Sequence, residues 1–119
     1  MPNDRNPTVA ETIVDIAKGA SRLLTADFGP ILNTGETLST VSTQPSQTGG
    51  TTTLTVGTGA INSSGAVTVD RRSKAASTVC QFRVTVPSNA TAGEDYEIAL
   101  ACSTSASNTL VMRCPIRIW

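Results

Sequence analysis

The sequence predicts an all-β chain, two small antiparallel sheets packed face to face in one domain. Three observations lead there. Three segments of the second half alternate apolar and polar residues with period two, the pattern of half-buried strands. Charged residues are only 15% of the chain, while Thr, Ser and Gly are abundant, which suits strands with polar, uncharged faces joined by turns. After residue 24 no run keeps helical spacing, so only strands between 37 and 70 remain to cover the apolar faces. The length of 119 residues suits a single domain with one modest core. Facing sheets are the simplest arrangement, and a partly closed barrel is the competitor.

The first 24 residues are the least regular. Residues 1–8 are polar, contain Pro2 and Pro7, and read as an exposed arm. Val9, Ile13, Ile16, Ala17, Ala20, Leu23 and Leu24 recur at helical spacing, and Thr8 with Glu11 matches a capping box. The β-branched pair Ile13-Val14 and Gly19 oppose a helix. Residues 1–24 are therefore set apart as an N-terminal arm, either a short helix or an extended, partner-dependent segment, with the sandwich at 25–119. The arm is too apolar for a free tail and must lie against its own domain or another subunit.

Residues 25–36 form a connector, in which Pro30 excludes a central strand and Asn33-Thr34-Gly35-Glu36 makes a turn. A weakly patterned strand is expected over 37–43, then a polar loop over 44–50 with Pro45 and Gly49-Gly50. Residues 51–56 return to strand, with Leu54 and Val56 on one face, and Gly57-Thr58-Gly59 breaks it. Asn62-Ser63-Ser64-Gly65 is a turn between Ile61 and Val67, and Val67 and Val69 carry a short strand. Asp70-Arg71-Arg72-Ser73-Lys74 is the one compact charge cluster and is expected as a solvated loop.

The second half is the most legible. Cys80, Phe82, Val84 and Val86 alternate with polar residues until Pro87 ends the strand. Tyr96, Ile98, Leu100 and Cys102 repeat the pattern, as do Leu110, Met112, Cys114, Ile116 and Ile118. A hairpin about residues 105–108 would set Cys102 beside Leu110 and Cys114 beside Ile98, so these two cysteines would not face each other. A bond from Cys80 to one of them is conceivable across the core.

Several function classes find little support. Net charge is zero, so there is no basic field for nucleic acid. Arg71, Arg72 and Lys74 lack the aromatic interleaving of a nucleic-acid surface. Histidine is absent, which removes the commonest general base and metal ligand. The three cysteines Cys80, Cys102 and Cys114 fall on inward strand faces and lack zinc-knuckle spacing. Their odd number, with a polar start lacking an apolar run, argues against a secreted disulfide scaffold and for synthesis in a reducing cytoplasm. In that setting the glycosylation patterns Asn62-Ser63-Ser64 and Asn89-Ala90-Thr91 carry no meaning. Glu94-Asp95 beside Asn89 does not follow a calcium-loop spacing. No apolar stretch approaches bilayer length. No cofactor, metal or catalytic group is expected. Arg113, Arg117 and Trp119 share the outward side of the last strand, and these residue types favour contact surfaces. The single tryptophan, also the last residue, either folds onto the domain edge or is buried against a partner.

The segment from Ala92-Gly93 through Tyr96 to Cys102 resembles the approach to the penultimate strand of an immunoglobulin-like (Ig-like) sandwich, where a tyrosine sits at a corner and bonds to backbone across the turn. Over residues 25–119 the chain resembles the small Ig-like structural proteins of tailed bacteriophages. The resemblance rests on the order of Asp27, Leu32, Gly35-Glu36-Thr37, the valine-rich stretch from 54 to 69, Ala92-Gly93, Tyr96, the turn at 104–108 and the Ile/Arg-rich strand from 112 to 118. Ser88-Asn89-Ala90-Thr91 replaces the family's Gly-Gly, and the arm before Asp27 is longer. The resemblance implies an Ig-like antiparallel β-sandwich and a virion structural protein, a head decoration or cement protein made in the host cytoplasm. Its partners would be the major capsid protein or other virion proteins and further copies of itself, most simply as a trimer, with no nucleic acid and no membrane. Val9, Ile13, Ile16, Leu23, Leu24 and Phe28 would anchor the arm, and Arg113, Arg117 and Trp119 would contact partners. A neck, tail or baseplate component and a receptor- or glycan-binding module are the alternatives.

Overall fold

The computed structural model describes residues 14–69 and 71–119. The elements in order are β1 (Val14–Ile16), β2 (Ser21–Asp27), a 3-10 turn (Gly29–Ile31), β3 (Leu38–Thr48), β4 (Thr55–Val56), β5 (Ala60–Ile61), β6 (Val67–Val69), β7 (Arg72–Lys74), β8 (Val79–Thr85), β9 (Asp95–Thr104) and β10 (Thr109–Ile118). The fold is all-β, with both antiparallel and parallel pairing. One sheet has the order β1-β10-β9-β3, and β1 runs parallel to β10. A second has β8 between β2 on one side and β4 on the other, and β5 also pairs with β8. Gly57-Thr58-Gly59 separates β4 from β5 at the break the glycines predict. A small β6–β7 hairpin stands apart from both sheets.

The two larger sheets share one apolar core. It takes Ile16, Ile98, Leu100, Leu110 and Ile116 from the first sheet and Leu24, Ala26, Phe82 and Val84 from the second. Every apolar residue of the inward set in the three alternating segments is buried, because period two puts that whole set on a single face. The β9–β10 register is the expected one, with Leu110 opposite Cys102 and Cys114 opposite Ile98.

Four local expectations need correction. First, of the two readings of the arm the described part follows the extended one, since Val14–Ile16 and residues 21–24 are strands and not a helix. Their apolar spacing fits a helix, but a turn at 17–20, closed by Ala20 N–H donating to Ala17 O, splits the run in two. The proposed boundary at 24/25 consequently cuts through β2. Second, β8 does not lie in one sheet with β9 and β10; it pairs with β2, β4 and β5. Alternation assigns a face to each strand but not a neighbour, and the connection over 86–94 carries the chain from one sheet to the other. Third, β3 runs on through Pro45, where a loop was expected. It lies at the edge of its sheet, and its register shifts between Thr43 and Ser46, so the missing proline N–H breaks no ladder. Fourth, Arg72–Lys74 is a strand of the β6–β7 hairpin, and Arg71 takes the left-handed conformation at its turn, with φ 66°. Lys74 lies 2.8 Å from the Asp27 carboxylate. Asp70 lies outside the described residues.

Candidate functional site

Two carboxylates gather polar groups at opposite ends of β9. At its start, Glu94 accepts from the Tyr96 hydroxyl at 2.8 Å and from the Thr51 hydroxyl at 3.1 and 2.9 Å. These donors, Tyr96 first, hold the Glu94 carboxyl below the ordinary carboxylate range. The Tyr96 hydroxyl in turn accepts from Thr52 N–H at 3.1 Å. Tyr96 thus bonds to backbone, as the resemblance implies, but to the loop between β3 and β4 rather than to its own turn. Gln47 holds the same loop from beneath, accepting from Leu54 N–H and donating to Thr52 O, each at 2.7 Å. Gly50 closes against the face of Tyr96 with φ 74°, and a Cβ there would enter the ring.

At the far end, Glu36 is buried. Its Oε2 accepts from the Thr104 hydroxyl at 2.5 Å and from Asn108 Nδ2 at 3.1 Å, and its Oε1 accepts from Asn33 N–H at 3.0 Å. Thr104 Oγ1 also accepts from the Asn108 and Ala106 N–H groups, so one hydroxyl links the carboxylate to the β9–β10 turn. Both clusters consist of satisfied groups that fix loops.

The outer side of β9 and β10 is different. Arg117 pairs with Asp95 at 2.9 Å and Arg113 with Glu97 at 3.3 Å, all of them toward solvent. An open depression of about 410 Å³ lies among Thr48, Tyr96, Glu97, Pro115 and Arg117. At the end of this row Trp119 is held through its backbone. Its N–H donates to Ile16 O at 3.2 Å and its carbonyl accepts from Lys18 N–H at 3.0 Å. The indole itself is 67% exposed. The backbone of Trp119 thus lies on the domain edge beside β1 while most of its surface is left open to solvent.

The expected contact residues divide into three groups. Leu23, Arg113, Arg117 and Trp119 are exposed. Ile16, Leu24 and Phe28 are core residues, at 2%, 5% and 0% exposure, and cannot anchor a partner. Ile16 and Leu24 fall at helical spacing because two short strands turn their inward faces to the core, and Phe28 continues the inward alternation of Leu24 and Ala26 just past β2. Val9 and Ile13 lie outside the described residues. Sequence reading missed the roles of Glu36 and Glu94, whose hydroxyl donors Thr104 and Thr51 are distant in the chain.

The described residues hold no cluster of three metal-ligating side chains and no helix long and apolar enough to cross a membrane. Asn62 is buried with its amide engaged, Nδ2 donating to Ala75 O at 2.7 Å and Oδ1 accepting from Val79 N–H at 3.2 Å, so its glycosylation pattern serves a fold contact. Comparison with known proteins gives no match: no family model, curated protein or solved structure is significantly similar to the chain.

Proposed function

We propose that this chain is a virion structural protein with an Ig-like sandwich, a capsid decoration protein that acts by binding and performs no catalysis. The Ig-like reading is supported by the strand order: a first strand parallel to the last, then β9 and β3 beside it, with β2, β8 and β4/β5 in the other sheet. The observation that carries the binding role is Trp119. Its backbone is fixed to the β1 edge, yet two-thirds of its surface is offered to solvent. A large side chain displayed on an ordered backbone loses little entropy when a partner covers it. The neighbouring Arg113 and Arg117 already carry their counter-charges on the same strand pair, so covering them leaves no unpaired ion. The partners are the major capsid protein and sister copies of this chain, and repetition over a shell supplies avidity.

Because Trp119 is the sole tryptophan, it reports its own burial. Mixed with capsid shells, the protein is expected to sediment with them and its tryptophan emission to move to the blue. Trp119→Ala is expected to weaken binding at least ~10-fold while leaving the melting temperature unchanged. Removing residues 1–13, which keeps β1 intact, is expected to weaken binding further. Unchanged affinity for both variants would refute the reading.

A further inference from the structure

We infer that β2 is a self-association edge, where two copies of the chain join antiparallel about a two-fold axis and run their β2–β8 sheets into one. β2 lies at the edge of its sheet and is seven residues long. Its register with β8 runs unbroken from Ser21 to Asp27. Phe28 N–H donates to Thr78 O at 3.0 Å and Val86 N–H donates to Ala20 O at 2.9 Å, in that same register. Antiparallel bonds alternate along a strand, so the even-numbered residues of β2 face β8, while Leu23 and Thr25 turn their N–H and C=O groups outward. Among the described residues no strand takes these groups up.

Among the described residues, the other edges of the two main sheets are blunted. β1 has three residues. β3 carries Pro45 and three register shifts. β4 and β5 have two residues each and are parted by Gly57-Thr58-Gly59. Beyond β1, the edge of β10 carries Pro115. Thr104 N–H donates to Asn108 O, which sets the odd-numbered residues of β10 outward, so this proline leaves a gap in their row of donors. Such devices keep edges from pairing. β2 has no proline, glycine or bulge between Ser21 and Asp27, and it displays Leu23 at 48% exposure. The occupant follows from the strand itself. Arg22 stands near its start and Asp27 at its end, so an antiparallel copy brings opposite charges together and a parallel copy would bring like charges together. Centred on Leu24, the pairing sets Leu23 opposite Thr25 of the second copy, and the two Leu23 side chains become diagonal neighbours on the outer face.

The pairing needs no capsid, so its test stands apart from that of the virion reading. A seven-residue edge buries less than the ~1,200 Å² of a standard interface, and weak association is expected. Sedimentation equilibrium of the full chain over roughly 10 μM to 1 mM is expected to show the mass rising from one chain to two. Amide hydrogen exchange, followed by NMR over the same series, identifies the surface. Leu24 and Ala26 N–H, bonded to β8, are expected to be protected at every concentration, and Leu23 and Thr25 N–H to gain at least ~3-fold protection as the pair forms. Leu23→Lys places like charges side by side, and Thr25→Pro removes an outward N–H that β8 does not use. Each is expected to leave Leu24 and Ala26 protected and to hold the mass at one chain. A wild type that stays at the mass of one chain, protection that spares Leu23 and Thr25, or association unchanged in both variants would overturn the inference.

Discussion

The two ends of β9 solve one problem with the same chemistry in different settings. At each end a glutamate collects neutral donors and thereby fixes a loop. Glu36 does so with its own side chain and that of Thr104 buried, while Asn108 and the Asn33 amide reach it from partly covered positions. Glu94 does so at the surface, where water can replace Thr51 and part of the work falls to the packing of Tyr96 on Gly50. The comparison teaches that the buried end depends on its carboxylate, whereas the surface end depends on ring-to-backbone fit. An unsatisfied buried donor costs about 1–3 kcal/mol, and an exposed one costs little.

The sharpest way to break this contrast is Gly50→Ala. The new methyl would meet the Tyr96 ring and the residue would hold a left-handed φ, so a loss of about 2–4 kcal/mol is expected in urea unfolding. Next, Glu36→Ala should cost about 2–3 kcal/mol by stranding its donors, with Glu36→Gln less severe. Tyr96→Phe keeps the ring and removes one hydroxyl, and about 1 kcal/mol is expected by the same measurement. A smaller, sign-specific effect concerns pH. Glu94 has a depressed pKa in the folded state, so its contribution is present above the ordinary carboxylate range and is lost as pH falls through the folded value. NMR titration of the Glu94 carboxyl should find it low in the wild type and higher in Tyr96→Phe. Smallest of all, Arg117→Ala should leave stability unchanged and show itself only in binding, since the pair with Asp95 is exposed.

The fold was legible where period two ran unbroken. From Cys80 to Ile118 the alternation named every large buried apolar residue and missed only Ala90 and Ala101, and the β9–β10 register followed from the turn alone. It was illegible where strands are short or irregular. Val14–Ile16 has three residues, too few to display a period; Leu24 was hidden by a helical spacing that a four-residue turn produced, and Ala26 and Phe28 by their place in a stretch that Pro30 marks as a connector. Sheet membership was also invisible, because inward residues look the same whichever neighbour a strand takes. The exposure of Arg113, Arg117 and Trp119 was readable from their shared parity at the last strand. The two glutamate clusters were not, since their partners lie 43 and 68 positions away in the chain.

The most direct test of the proposed role is cryo-electron microscopy of a phage particle of the kind in which the proposal places the chain. The account predicts density for this fold at repeated positions on the head shell, with Trp119 and the β10 outer face turned into a protein contact. Density confined to the neck or tail, or copies on the shell with Trp119 facing solvent, would contradict it.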